Sequence, residues 1–203
     1  MHILLVEGEA GEAREAEKLL NQAGHETYRC VDEDADHFPC SGMIAGECPL
    51  DRTDIDAAVL VRTDVADMPS AREDGARCAL RHHIPLVLAG DVTASTYRPW
   101  ATETTEDLGG LTDALERATA QLLDRHTRAA TQSFHAVLAG HDLRPEIGTA
   151  EIHRSGGSLQ VTLRVTEELP EGVAEVSAVR ATGAVRDVDP YASTIDVEVV
   201  VAQ

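Results

Sequence analysis

In the first half of the chain, segments with apolar residues at helical spacing alternate with short continuous apolar runs. Apolar residues recur at helical spacing over 10–21 and 70–81, which predicts two amphipathic helices. Short apolar runs, typical of buried parallel strands, occur at 2–6, 26–31, 56–62 and 84–89. Strands that alternate with helices in this order predict an α/β domain with a parallel sheet and covering helices.

A long amphipathic segment follows. Apolar residues recur every three or four positions from 111 to 138, which predicts one helix, or two helices separated near 124–126. Two interpretations of its apolar side stay open. The segment packs under the carboxyl-terminal part of the chain, or it pairs with a second copy in a homodimer through residues 108–139.

The last part of the chain changes to a period of two. Strands are predicted over 151–154 and 159–165, joined by a turn at Gly156 and Gly157. A helix that begins after Pro170 and ends at Gly183, and a strand over 194–201, complete the β-β-α-β order of a small α+β module. This order weakly resembles the small domain of the alkaline-shock protein family.

These patterns predict three parts. Residues 1–105 form the α/β domain, which carries an insertion at 30–50. Residues 106–141 form a helical connector, and residues 142–203 form the small α+β domain.

Five stretches of the first domain carry a family resemblance. They are ILLVEGE at 3–9, LNQAGHE at 20–26, DGARCALR at 74–81, IPLVL at 84–88 and YRPW at 97–100. In this order and spacing they resemble the receiver domain of response regulators, over about half of the chain. The resemblance implies a flavodoxin-like sheet. In an intact receiver it also implies phosphoryl transfer to an aspartate that ends the third strand, with magnesium held there by two further acids.

The sequence departs from that chemistry at the acids. Glu7 keeps one of them, Gly8 stands in place of the second, and Arg62 stands where the acceptor aspartate is expected. Arginine is neither a nucleophile in this setting nor a magnesium ligand. Asp64 substitutes only if the loop changes register. An ion pair between Arg62 and Glu7 would replace the metal with a fixed positive charge.

Two more receiver features are missing. Ala89 or Gly90 replaces the expected hydroxyl, and Arg98 replaces the lysine. The stretch 91–95 is too short for a full fourth helix and the usual fifth strand. We therefore predict a phosphorylation-incompetent receiver-like domain with a degenerate acidic pocket formed by Glu7, Glu9, Arg62, Asp64 and Arg98.

The insertion contains three thiols and an imidazole: Cys30, His37, Cys40 and Cys48. Thiolate and neutral imidazole are the ligands that zinc prefers, so a zinc site is one interpretation. A redox pair of Cys40 and Cys48 is a second, and simple packing of the thiols is a third. Cys78 is assigned to the core and the end of its helix.

Composition narrows the classes of partner. With 36 acidic and 17 basic residues the formal net charge is -19, which disfavours nucleic acid and anionic membrane surfaces. We find no signal peptide and no apolar run near the ~20 residues that span a bilayer. The expected location is the cytoplasm, where cysteines stay reduced or bind metal.

These observations favour a non-enzymatic regulatory or scaffold protein that acts by protein-protein interaction. The alternative is a sensor that uses zinc or thiol redox chemistry in the insertion. A third interpretation is a flavodoxin-like enzyme with its ligand at the carboxyl ends of the strands, near Glu7, Glu9, Arg62, Asp64 and Asp91.

Overall fold

The structure is a computed structural model that describes residues 1–31, 40–63, 68–93, 95–155 and 157–202. It forms two compact units, residues 1–121 and 122–203. The boundary between them lies inside the segment predicted as a connector.

The strands are β1 (His2–Glu7), β2 (Glu26–Tyr28), β3 (Ala57–Arg62), β4 (Leu86–Gly90), β5 (Glu103–Thr105), β6 (Gly148–Ser155), β7 (Ser158–Val165) and β8 (Thr194–Val201). The α-helices are α1 (Arg14–Gln22), α2 (Ser41–Ala45), α3 (Pro49–Arg52), α4 (Asp74–Arg81), α5 (Leu111–Gly140) and α6 (Val173–Val188). Single 3₁₀ turns occur at Ala71–Glu73, Arg98–Trp100, Leu108–Gly110 and Pro145–Ile147.

The first unit contains a five-stranded parallel sheet. Its strand order is β2-β1-β3-β4-β5, which is the flavodoxin-like order. Glu7 pairs in register with Val61, and Arg62 with Gly90. The predicted α/β class is confirmed. Because all five strands are parallel, their carboxyl ends share one edge, and Glu7 and Arg62 both lie there.

Helices cover both faces of this sheet, which explains why β1, β3 and β4 are apolar nearly throughout. On one face, alternate strand residues such as Ile3 and Val59 pack against α1 and the start of α5. On the other face, Leu4 and Leu60 pack with the buried alanines of α4. The central strands are therefore fixed in register by burial on two sides.

The expectation that the usual fifth strand is missing was wrong. Glu103–Thr105 pairs with β4 as β5. It is a short edge strand with the polar sequence Glu-Thr-Thr, so it gives no apolar signal. Among the described residues between β4 and β5, the chain forms a 3₁₀ turn at Arg98–Trp100 instead of a full fourth helix.

The second unit has the predicted β-β-α-β order. β6 and β7 form an antiparallel hairpin, and β8 lies parallel to β7 after the crossover through α6. Its core combines Phe134 and Leu138 of α5 with Leu159 and Leu163 of β7 and with Val185 of α6. The small mixed sheet is thus closed by helices.

Two helix boundaries differ from the prediction. α6 continues through Gly183 to Val188, because Ala181 and Val185 keep its buried face in register. An exposed interior glycine costs only about 1 kcal/mol, which this packing outweighs. α5 is one continuous helix without a break at 124–126.

Most apolar residues of α5 are buried. Leu111 and Leu115 belong to the core of the first unit, and Phe134 and Leu138 belong to the core of the second. In the part of the chain that the structure describes, no helix has both the length and the apolar character needed to cross a membrane.

Candidate functional site

Glu7 is the centre of a buried ionic cluster at the carboxyl edge of the parallel sheet. Its side chain is 5% exposed, although the residue is acidic. Oε2 accepts hydrogen bonds from the backbone N–H groups of Gly11 and Ala13, at 3.2 and 3.3 Å. Arg29 lies 3.2 Å from Oε2, and Arg72 donates to Oε1 at 3.2 Å. Both carboxylate oxygens are therefore engaged by the protein itself.

Arg29 links this cluster to α1. Its guanidinium donates to Glu17 at 3.0 Å, as well as contacting Glu7. Burial by itself lowers the pKa of Arg29, but the hydrogen bonds that Arg29 donates to Glu17 and Glu7 outweigh burial and raise the pKa. The guanidinium is therefore fixed in its charged form between two acids.

Arg62 forms a second buried pair at the same edge. Its Nε lies 3.5 Å from Oε1 of Glu73, and these residues are 4% and 1% exposed. Burial raises the pKa of Glu73, while Arg62 and a backbone hydrogen bond from Ser70 oppose that shift. The acid opposite Arg62 is thus one that the sequence did not single out. Glu7, the predicted partner of Arg62, binds two other arginines.

Gly8, where the receiver resemblance expected a second acid, is closely surrounded by side chains. A methyl group on Gly8 would lie 2.9 Å from Oε2 of Glu12 and 3.4 Å from Oε1 of Glu73. The Glu12 carboxylate also accepts hydrogen bonds from the backbone N–H and the hydroxyl of Thr63. An acidic side chain at position 8 would meet these two carboxylates, so at least the flexible Glu12 side chain would have to move.

Glycine is needed at position 90 because of backbone conformation and a close backbone contact. Its φ is +93°, and a methyl group there would lie 2.0 Å from the backbone oxygen of Arg62. That same oxygen accepts a hydrogen bond from the backbone of Asp91 at 2.8 Å. The close approach of β3 and β4 therefore requires glycine at a position where the receiver resemblance expected a hydroxyl.

The other predicted pocket residues are more peripheral. Glu9 and Arg98 are exposed, and Arg98 lies in the 3₁₀ turn at Arg98–Trp100. Asp91 accepts hydrogen bonds from its neighbour Thr93. Asp64 lies outside the described residues. Arg29, Arg72 and Glu73, which complete the cluster, were missed because each lies far from Glu7 and Arg62 in sequence.

The cysteines of the insertion lie beside the ionic cluster, on the α4 side of the sheet. The backbone oxygen of Cys30 accepts hydrogen bonds from both the N–H and the hydroxyl of Ser41, each at 2.9 Å. Cys40 and Cys48 precede the first turns of α2 and α3. A methyl group on Gly42 would lie 2.9 Å from Cβ of Cys48, so the two short helices are in close contact.

Cys78 joins the same group from α4. Sγ of Cys30 lies 3.3 Å from the position that a methyl group on Gly75 would take, and Cys78 is three residues further along that helix. Burial, and to a smaller extent the neighbouring thiols of Cys48, Cys78 and Cys40, raise the pKa of the Cys30 thiol to about 12. All four thiols are free and partly buried.

The predicted ligand set is only partly described, because His37 lies outside the described residues. Among the residues that the structure does describe, no three His, Cys, Asp or Glu side chains already surround one ion position. The zinc site of Cys30, His37, Cys40 and Cys48 therefore stays a prediction. The structure does place the backbones of Cys30, Cys40 and Cys48 near one another. It adds Cys78, which the sequence assigned to the core.

The second unit contains a buried histidine that the sequence did not identify. His126 is fully buried, and its Nε2 lies 3.7 Å from Oδ2 of Asp189. Arg154 donates to that same oxygen at 3.1 Å. Burial lowers the pKa of His126, with Asp189 opposing the shift. Its only sequence signal is its place on the buried side of α5.

Comparison with known proteins leaves the family open. No family model matches the chain, and no curated protein matches it. Among solved structures, a variant of Era from Aquifex aeolicus bound to GDP.AlF4- matches with a TM-score of 0.32 and 10% sequence identity. The match covers 99% of this chain and 93% of that chain. Structural similarity at this TM-score does not indicate a function for this chain.

Proposed function

We propose that this chain is a non-enzymatic regulatory or scaffold protein whose receiver-like domain works without phosphorylation, through protein-protein interaction. The observation that carries the proposal is the state of Glu7, whose two carboxylate oxygens are held by Arg29, Arg72 and two backbone N–H groups. In the receiver resemblance, Glu7 is the acid that remains for magnesium.

Magnesium binding at this edge would require breaking the existing contacts. The ion favours carboxylate oxygens and water in near-octahedral geometry. Separating Glu7 from Arg29 or Arg72 leaves a buried charge without its partner, at about 3–5 kcal/mol. Arg62 adds a positive charge where the acceptor carboxylate is expected, and this charge repels the metal.

The same contacts fix one conformation of the edge. The loop after β1, the start of α1 and the 3₁₀ turn before α4 are tied together through Glu7, Arg72 and Ser70. A domain held in this way presents one surface at all times. Partner binding is then expected to depend on partner concentration and not on a phosphoryl switch.

Incubation of the purified chain with acetyl phosphate and magnesium tests the phosphorylation part. Intact-mass measurement should show no added phosphoryl group, while an intact receiver domain labelled in parallel supplies the positive control. Beryllium fluoride with magnesium should leave the melting temperature unchanged. A stable phosphoprotein that is lost in an Asp64→Asn variant would overturn the proposal.

The interaction part needs a separate measurement. Tagged full-length chain purified from its native cells should retain a protein partner, and the affinity of the purified pair should not change with acetyl phosphate. Absence of any stoichiometric partner, or an affinity that depends on acetyl phosphate, would contradict the proposal. A homodimer through residues 108–139 stays a prediction, which sedimentation equilibrium of the purified chain tests.

A further inference from the structure

Backbone and side-chain contacts place all four cysteines of the chain near one another, although they come from separate segments. Cys30 follows β2, Cys40 and Cys48 precede α2 and α3, and Cys78 lies within α4. Thiols used only for packing have no reason to meet, because each behaves as a small apolar side chain in its own position. Their convergence is the observation to be explained.

A chain of contacts connects the four residues. Ser41 binds the backbone of Cys30 and holds Cys40 next to it. The absence of a side chain at Gly42 lets Cβ of Cys48 approach α2.

The absence of a side chain at Gly75 of α4 likewise lets Cys30 approach that helix. A methyl group there would lie 3.3 Å from Sγ of Cys30. Residues three apart on a helix lie on one face, with Cβ atoms about 5–6 Å apart, so Cys78 adjoins that sulfur. Two glycines therefore make room for this arrangement of thiols.

We propose that Cys30, Cys40, Cys48 and Cys78 bind one soft divalent metal ion of the zinc class, with Cys78 completing the ligand set. Four thiolates are one of the standard ligand sets of structural zinc sites. The proposal replaces His37 by Cys78 among the ligands that the sequence suggested. It does not rest on the proposed regulatory function.

A divalent cation stabilises the deprotonated form of thiols that bind it. Each thiol that binds releases its proton to solvent and donates a sulfur lone pair to the metal, and no electron is transferred.

Binding also requires a local adjustment. Among the described residues the side chains are not yet gathered around one ion position. All four cysteines are partly exposed, so their side chains have room to rotate. Cys40 and Cys48 immediately precede helices of five and four residues, which move at a smaller cost than α4. The metal is therefore expected to fix the insertion against α4.

Metal analysis of the full-length chain, purified under reducing conditions without chelators, tests the proposal. About one zinc per chain is expected. Removal of the metal and addition of cobalt should give the near-ultraviolet charge-transfer absorption of cobalt thiolate. Zinc should also raise the melting temperature of the metal-free protein.

Variants assign the ligands. Cys78→Ser should lose stoichiometric zinc and the cobalt-thiolate absorption, while His37→Ala and the exposed control Met43→Ala should keep both. Circular dichroism of each variant shows whether it folds, and a folded Cys78→Ser protein that retains zinc overturns the assignment. Loss of zinc in His37→Ala overturns the all-cysteine set. A metal-free wild-type chain whose melting temperature does not respond to zinc, or a disulfide in the purified protein, overturns the metal site itself.

Discussion

Replacement of Arg62 by methionine is predicted to destabilise the first unit by about 3–5 kcal/mol at neutral pH. The substitution keeps an unbranched side chain but leaves Glu73, which is 1% exposed, without the cation 3.5 Å away. At that distance and an effective dielectric constant of about 20, the attraction between two unit charges is about 5 kcal/mol. The expected loss is therefore of the same size as the Coulomb energy.

The loss should depend on pH. Burial raises the pKa of Glu73, and Arg62 opposes this, so removing Arg62 raises the pKa further. An acid with a raised pKa in the folded state contributes stability at low pH that is lost as the pH rises through the folded pKa. The difference between the Arg62→Met and wild-type proteins should thus be largest at neutral pH and shrink towards about pH 4.5.

Urea denaturation followed by circular dichroism measures the effect. With a slope of about 2 kcal/mol/M, a loss of 4 kcal/mol lowers the midpoint by about 2 M. The control is Arg52→Met, which breaks an exposed pair with Glu47 at 3.1 Å and should cost less than about 1 kcal/mol. The double variant with Glu73→Leu should regain most of the loss.

Two results would refute this reasoning. One is an Arg62→Met protein that loses no more stability than Arg52→Met. The other is a loss that stays constant between neutral and acidic pH. Either outcome means that the charge of Arg62 does not offset the burial of Glu73.

Three further predictions concern other parts of the chain. Burial lowers the pKa of His126, so on acidification this histidine is protonated in the unfolded state before it is protonated in the folded state. The free energy of unfolding should therefore fall as the pH drops below about 6.5. In the His126→Leu variant, the urea midpoint should fall less between about pH 7.5 and about pH 5.5 than it does in the wild-type protein. Gly90→Ala should cost more than the ~1 kcal/mol of Gly24→Ala, because both have positive φ but only Gly90 meets the backbone of β3; equal thermal shifts would contradict this. Phe134→Ala should cost about 3–5 kcal/mol by chemical denaturation, against less than about 0.5 kcal/mol for Val179→Ala, whose side chain is 72% exposed.

Much of the fold was predictable because the signals are local. The apolar runs of β1, β3 and β4 are buried on both faces, which gives each a clear pattern. β5 was missed because an edge strand of three polar residues needs no such pattern. The end of α6 was misplaced because Gly183 is a local signal, and packing of Val185 overrode it.

The candidate site was predictable only in part. Glu7 and Arg62 were identified because they end buried strands, and parallel strands bring their carboxyl ends together. Their actual partners could not be predicted, because Arg29, Arg72 and Glu73 reach the edge from a loop after β2 and from the 3₁₀ turn before α4. Side-chain direction at such positions depends on the packing of the whole unit.

The sequence by itself determined the α/β class, the parallel sheet and the β-β-α-β module, since these follow from periodicity and residue type. Tertiary structure alone decided which charges neutralise one another and that Cys30 lies against α4, the helix that contains Cys78. The physical reason for this division is the separation in sequence between the residues that interact. Periodicity acts between neighbours in sequence, whereas ion pairs and metal ligands depend on distances of a few ångströms between residues that only the folded chain brings together.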